Sequence, residues 1–260
     1  MLLLVDAGNT RVKWALMEVA RIGKAELGHW AAYGTVAKEN ACSIADSLKD
    51  YSVARMLISN VAGRTMCDEL ERMALRAMGI KPVPITWFKS EPELAGIQNG
   101  YRDPAQLGCD RFASMIGARA MFPDKPLLVV TCGTATTVDA VTAGGRFIGG
   151  MILPGLGTMA SSLARNTAQL PQVPEYGMGK RAFGDNTNDA IVTGCIAAQA
   201  GAIERAFAAH AAGEGPPQCI LSGGAAGFIE PHLAVSSRRV DNLVLIGLQA
   251  VAAAQMERLH

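Results

Sequence analysis

Met1-Leu2-Leu3-Leu4-Val5-Asp6-Ala7-Gly8-Asn9-Thr10 opens the chain, and Leu127-Leu128-Val129-Val130-Thr131-Cys132-Gly133-Thr134-Ala135-Thr136-Thr137 repeats its logic half a chain later. In both, an apolar strand runs into a small polar bend that contains glycine and threonine. Strand-like sequence resumes after each bend, at Val12 to Met17 and at Thr136 to Val141. Each stretch therefore predicts a β-hairpin whose bend presents backbone N–H groups and hydroxyls, the shape that receives a phosphate chain. Two such hairpins facing each other across a cleft would hold a nucleoside triphosphate between two related lobes. The duplication points to phosphoryl transfer.

Working outward, the first half predicts strands at Leu2 to Val5, Val12 to Met17 and His29 to Gly34, then a helical stretch near Asn40 to Leu48. Val53 to Val61 reads as a strand. Met66, Leu70, Met73 and Ala77 recur at helical spacing. Val83 to Phe88 is another strand, and Glu91 to Asp110 reads as loop before a helix from about Asp110 to Met121. Pro123-Asp124-Lys125-Pro126 is the clearest break. The pattern then restarts. Three strands are expected at Leu127 to Thr131, Thr136 to Val141 and Arg146 to Leu153, and a helix from Gly155 to Arg165. Pro171 to Lys180 reads as loop, Asp189 to Ala211 as a long helix, and Gln218 to Leu221 as a strand. Ala225 to His232 is a short helix, Val235 to Val240 a strand, and Asn242 to Leu259 a closing helix. Two halves, 1–124 and 125–260, share this order, and each starts with a phosphate-type hairpin. The expected fold is α/β: two ribonuclease H-like lobes of the actin/hexokinase/Hsp70 kind, with mixed sheets flanked by helices.

Composition narrows the function classes. The 260 residues are 50% hydrophobic and 18% charged, with net charge +1, which suits a soluble globular protein and gives no electrostatic footprint for nucleic acid. The first apolar run stops at Asp6 with no preceding cation, unlike a signal peptide. The longest apolar stretch, Leu243 to Ala254, is interrupted by Gln249 and is too short for a bilayer. No membrane association and a cytoplasmic location are expected. The six cysteines form no C-x-x-C pair and the four histidines are scattered, which speaks against zinc. Cys109 and Cys132 sit inside the motifs and are expected to be open to alkylation. Neither has a nearby histidine in sequence to make it a nucleophile.

Each motif has an ordinary alternative. Asp6 to Lys13 could be a plain hairpin with Gly-Asn as its turn pair. As a phosphate site, it offers donors from Asn9 and Thr10, a carboxylate at Asp6 for hydrated Mg²⁺, and charge from Lys13. Gly133 to Thr137 could be a threonine-rich turn. Ser222-Gly223-Gly224-Ala225 could be a strand-to-helix turn with a serine cap, or a flat backbone surface at Gly223 and Gly224 for an adenosine. Asp110, in Gly108-Cys109-Asp110-Arg111, could cap a helix. It could instead take a proton from an acceptor hydroxyl, with Arg111 gripping an acceptor carboxylate. Two decoys are set aside. Gly155-Leu156-Gly157-Thr158-Met159-Ala160 matches a dinucleotide fingerprint, but Pro154 precedes it and no suitable βαβ unit follows. Gly179-Lys180-Arg181 lacks the residues of a Walker A loop.

Taken together, Asp6-x-Gly8-Asn9-Thr10-x-x-Lys13, Gly108-x-Asp110-Arg111, Gly133-Thr134-Ala135-x-Thr137, Gly149-Gly150-x-Ile152-x-Pro154-Gly155 and Thr167-Ala168-x-Leu170-Pro171 resemble type III pantothenate kinase, over nearly the whole chain. That family uses ATP to phosphorylate the terminal hydroxyl of pantothenate, the first step toward coenzyme A, and its members are homodimers. The resemblance implies that Asp6, Ala7, Gly8, Asn9, Thr10, Arg11, Val12, Lys13 and Thr134 bind ATP. It implies that Asp110 is the catalytic base. It places Tyr101, Gly108, Cys109, Asp110, Arg111 and Thr187 at pantothenate, with Thr187 in a Phe183-Gly184-Asp185-Asn186-Thr187 motif at the substrate and dimer interface. Mg²⁺ is expected with ATP. The family's second phosphate motif usually begins with an aspartate that helps hold K⁺ or NH₄⁺. Thr131 stands there in this chain, which puts the cation in question. The alternatives are another small-molecule kinase of the same fold, or a regulatory protein that binds nucleotide without turnover.

Overall fold

An unbroken apolar run makes β1 (Leu2–Ala7) an inner strand, with Leu3 and Leu4 fully buried on opposite faces. The computed structural model describes residues 1–23, 26–78, 83–173 and 182–257. They divide into two units, Met1–Met121 with Asn242–His260, and Phe122–Asp241.

In the first unit, β1 is followed by β2 (Arg11–Met17), β3 (Ala32–Ala37), a 3₁₀ turn and short α1 (Ile44–Ser47), β4 (Arg55–Asn60), α2 (Arg64–Met78) and β5 (Ile85–Trp87). The sheet order is β3-β2-β1-β4-β5. β1, β2 and β3 pair antiparallel, whereas β4 and β5 join parallel. One face, with Leu3, Val5, Val12, Trp14, Met56 and Ile58, packs against α1 and α2. The stretch expected to be loop after Phe88 contains a small antiparallel hairpin, β6 (Glu93–Leu94) and β7 (Ile97–Asn99). Its strands are short and bracketed by Pro92 and Gly100, so no periodicity reveals them. Helix α3 (Cys109–Met121) then crosses the second face of the sheet.

The second unit repeats the plan with β8 (Leu127–Cys132), β9 (Ala135–Val141), β10 (Arg146–Pro154), α4 (Leu156–Asn166), α5 (Thr187–Glu214), β11 (Gln218–Ser222), α6 (Ala226–Ile229) and β12 (Ser237–Arg239). Its strands run β12-β11-β8-β9-β10. Again three pair antiparallel and two join parallel. The core face carries Leu128, Val130, Val138 and Leu221 against α4 and α5. Among the described residues, no helix is long and apolar enough to cross a membrane.

The closing helix α7 (Leu243–Glu257) differs from the division expected at residue 124. It belongs to the first unit, where it packs on α3. The contact is backbone against backbone: a Cβ at Gly247 would lie 1.8 Å from the Ala113 carbonyl oxygen, and one at Gly117 would lie 2.7 Å from that of Leu243. Buried Gln249 adds polar ties, accepting from the Gly28 N–H and from Trp30 Nε1 at 3.0 Å each.

Candidate active site

Strand register builds the first part of the site. Asp6 on β1 is the Cα partner of Lys13 on β2 and of Ser59 on β4. Residues paired across a sheet share a face. The row Lys13–Asp6–Ser59 therefore lies opposite the apolar face, on the side of α3. The bend beyond it is closed by the Gly8 N–H donating to the Arg11 carbonyl at 3.0 Å, with Asn9 and Thr10 exposed at the tip. No residue of this bend takes a positive φ, so the turn is not the Gly-Asn type of the ordinary hairpin reading.

The start of α3 brings the second group to this row. The Asp110 carboxylate folds back to accept from the Arg111 N–H at 2.8 Å. Gly108 leaves room for it, since a Cβ there would lie 2.7 Å from Asp110 Oδ1. Burial pushes the Asp110 carboxyl up, against the opposing pull of the Arg111 N–H and charge. Burial also pushes Asp6 up, to about 7; Lys13 opposes this and the neighbouring Asp110 charge adds to it. The Asp110 charge thus reaches Asp6, and Cys109, the residue before Asp110, touches the same row through Ser59. Arg111 is itself 7% exposed; its Nη1 donates to the Tyr101 hydroxyl at 3.1 Å and its guanidinium lies 5.7 Å from the ring centroid. Tyr101 is fixed in turn by its N–H donating to Asn99 Oδ1 at 3.1 Å. Asp6, Lys13, Tyr101, Gly108, Cys109, Asp110 and Arg111 thus all belong to the first unit.

Sequence reasoning missed Ser59. It is fully buried, and its Oγ lies 3.3 Å from Cys109 Sγ. A lone serine at the end of a strand carries no motif. The one available signal is that a polar residue closes the apolar run Met56-Leu57-Ile58 at the level of Asp6.

The second unit holds Thr131, Thr134, Gly223, Gly224 and Thr187. Thr131 on β8 is the Cα partner of Thr137 on β9 and of Ser222 on β11, a row of three hydroxyls. The bend is held from two sides. The Gly155 N–H donates to the Thr134 carbonyl at 3.0 Å, and Thr158 Oγ1 donates to the same oxygen at 2.7 Å. A Cβ at Gly155 would lie 2.0 Å from the Gly133 carbonyl oxygen. Gly155 in the dinucleotide-like run is thus explained by packing against this bend. Gly223 has φ +96°, and its Cβ would meet the Cys132 carbonyl oxygen at 2.3 Å, whereas nothing crowds Gly224. Ser222 is buried on β11 and does not cap α6, whose cap position is Ala225. Cys132 is fully buried and burial drives its thiol up to about 12, contrary to the expected alkylation.

Thr187 opens α5. The motif around it builds that helix start: Asn186 Oδ1 accepts from the Asp189 N–H at 3.0 Å, and Gly184 passes too close to Ala190 for any side chain. Thr187 also lines an apolar hollow of about 670 Å³ together with Met159, Leu163, Leu170 and Ile191. Phe183, at 87% exposure, precedes it. The Gly179-Lys180-Arg181 decoy lies outside the described residues.

The duplicated α/β topology is the fold plan of the actin/hexokinase/Hsp70 class, and the first unit sets Asp6 and Lys13 in one row. The comparisons sharpen this. The model of the family described as type III pantothenate kinase matches residues 2–209. A type III pantothenate kinase of Janthinobacterium sp. (strain Marseille) is 57% identical over 254 residues, covering 97% of each chain, and one of Herminiimonas arsenicoxydans is 55% identical at the same coverage. In fold alone, the chain is similar to a Baf family protein of Campylobacter jejuni (TM-score 0.59, 18% identity, 98% of this chain and 99% of that one). It is also similar to the EutJ ethanolamine utilization protein of Carboxydothermus hydrogenoformans (TM-score 0.54, 13% identity, 97% and 89%). The chain belongs to the type III pantothenate kinase family.

Proposed function

We propose that Asp110 is the general base of the pantothenate kinase reaction that family membership gives this chain, the ATP-dependent phosphorylation of pantothenate to 4'-phosphopantothenate in coenzyme A biosynthesis. The observation that carries this reading is that α3 starts against the Lys13–Asp6–Ser59 row, with Cys109 Sγ 3.3 Å from Ser59 Oγ and Asp110 the next residue. Asp110 takes the proton of the terminal hydroxyl. The freed oxygen attacks the γ-phosphorus, the bond to the β,γ-bridging oxygen breaks, and ADP leaves. Asp6 to Lys13 and Thr134 bind the phosphates of ATP, Gly223 and Gly224 its adenosine. Tyr101, Gly108 to Arg111 and Thr187 bind pantothenate, with Arg111 on its carboxylate. Such a reaction depends mainly on positioning and charge.

The metal ions divide. A carboxylate pushed up by burial and by a second carboxylate is eased by a divalent cation, so Asp6 fits Mg²⁺ held through water, and the ion would neutralise phosphate charge there. The Thr137–Thr131–Ser222 row offers hydroxyls and no carboxylate, so it lacks the charge that an aspartate in place of Thr131 would bring to a monovalent cation. Turnover independent of K⁺ and NH₄⁺ is the corresponding expectation. A homodimer in the cytoplasm completes the proposal. Of the two helices that could supply a dimer surface, α7 buries its apolar residues within the first unit. That leaves α5, beside the apolar hollow and exposed Phe183.

The test is ATP-dependent phosphorylation of pantothenate by the purified protein with Mg²⁺, with and without K⁺ or NH₄⁺. Turnover under both conditions supports the reading. ATP binding without turnover under either would favour a regulatory role.

A further inference from the structure

We infer that Ser59 is a positioning residue for phosphoryl transfer, acting through Cys109 to hold Asp110 at its working place beside Asp6 and Lys13. The inference rests on the roles proposed above for Asp6, Lys13 and Asp110.

Three observations carry it. First, Ser59 is the third member of the polar row, level with Asp6 through the parallel ladder between β1 and β4. A hydroxyl on this inner strand is fully buried, where an unneeded polar group would cost stability. Second, its Oγ meets the Cys109 thiol at 3.3 Å, and that thiol reaches the Asn60 carbonyl at 3.6 Å. Cys109 is the first residue of α3 and directly precedes Asp110. Third, the strand ends under this contact are fixed. The Val61 N–H donates to the Ala7 carbonyl at 3.0 Å, and Asn60 is tied at 2.9 Å to the Ala62 N–H and at 3.0 Å to the Gly63 carbonyl. The first turn of a helix has no intrahelical ladder on its N-terminal side. With a rigid platform on one side, the Ser59–Cys109 contact is a side-chain tie between the helix start and the row.

Displacing a reacting group by an ångström can cost up to about a hundredfold in rate. A loosened but tethered helix start should cost less. Ser59→Ala and Cys109→Ala should each lower kcat about three- to tenfold; Ser59→Ala should leave the KM values for ATP and pantothenate within about twofold, whereas Cys109→Ala, at the pantothenate site, is read by kcat alone. The double variant should be no slower than the slower single one, because both remove the same contact. Cys109→Ser, which keeps a hydrogen-bonding group, should recover most of the kcat that Cys109→Ala loses. Melting temperatures establish that each variant is folded. If Ser59→Ala does not fold, the Cys109→Ala and Cys109→Ser pair decides. Wild-type kcat in the single variants, or losses that multiply in the double, would overturn the positioning role. Absence of wild-type turnover in the same assay defeats the functional reading itself, so the two failures are distinguishable.

Discussion

The two units have the same strand plan and different chemistry at the same place. In the first, the row across the middle strands is Lys13–Asp6–Ser59; in the second, the equivalent row is Thr137–Thr131–Ser222. One row carries two charges and faces a helix that adds Asp110. The other carries only hydroxyls, and its bend is pressed by Gly155 and Gly223 at distances that exclude any side chain. The two bends follow one plan. The first stands beside charged side chains, and the second is a packed backbone surface.

The largest expected effect lies on the charged side. Asp110→Asn should lower kcat about 10²–10⁴-fold, roughly 3–5 kcal/mol, with the fold retained on melting. Near wild-type turnover would end its assignment as base. Next comes Arg111→Ala. A charge-assisted contact to the substrate carboxylate is worth about 1.5–3 kcal/mol, so the pantothenate KM should rise roughly ten- to a hundredfold. A change confined to kcat would move Arg111 to the transferring phosphoryl group.

On the backbone side, Gly155→Ala should cost about 1–3 kcal/mol of stability, because the bend at Gly133 must shift to admit the methyl group. The KM for ATP should rise with it. An unaltered urea midpoint would show that the bend is soft rather than pressed.

A last effect is a pH dependence of stability. The Asp6 carboxyl sits near the ordinary value of about 3.9 when unfolded and at about 7 when folded. The folded state therefore binds the proton more tightly. The stability this contributes is present below the unfolded value and is lost as pH rises through about 7. Without ligands, the urea midpoint of the wild type should fall between pH 5 and pH 8 relative to that of Asp6→Asn. Parallel pH curves for the two proteins would remove burial as the cause.

Much of this was legible in the sequence because it is local. The apolar runs before Asp6 and Thr131, and the restart after Pro126, show both sheets and both bends. Asp110 and Arg111 were recognisable as a motif. What escaped depends on contacts distant along the chain. The apolar character of Leu243 to Ala254 says that α7 is buried, but not that Gly117 and Gly247 seat it on α3. Ser59 gains its meaning from strand register with Asp6. Gly155 matched a nucleotide fingerprint because close packing and phosphate binding both call for glycine; Pro154 and the missing βαβ unit spoke against the fingerprint, and the Gly133 carbonyl supplies the packing reason.

The most direct test of the contrast between the units is the kcat of Asp6→Ala set beside that of Thr131→Ala, with each variant's melting temperature as a check on folding. Loss of the buried charge should lower kcat about 10²–10³-fold. Loss of one neutral hydroxyl should cost less than about tenfold. Equal losses at the two positions would contradict the division into a charged unit and a backbone unit.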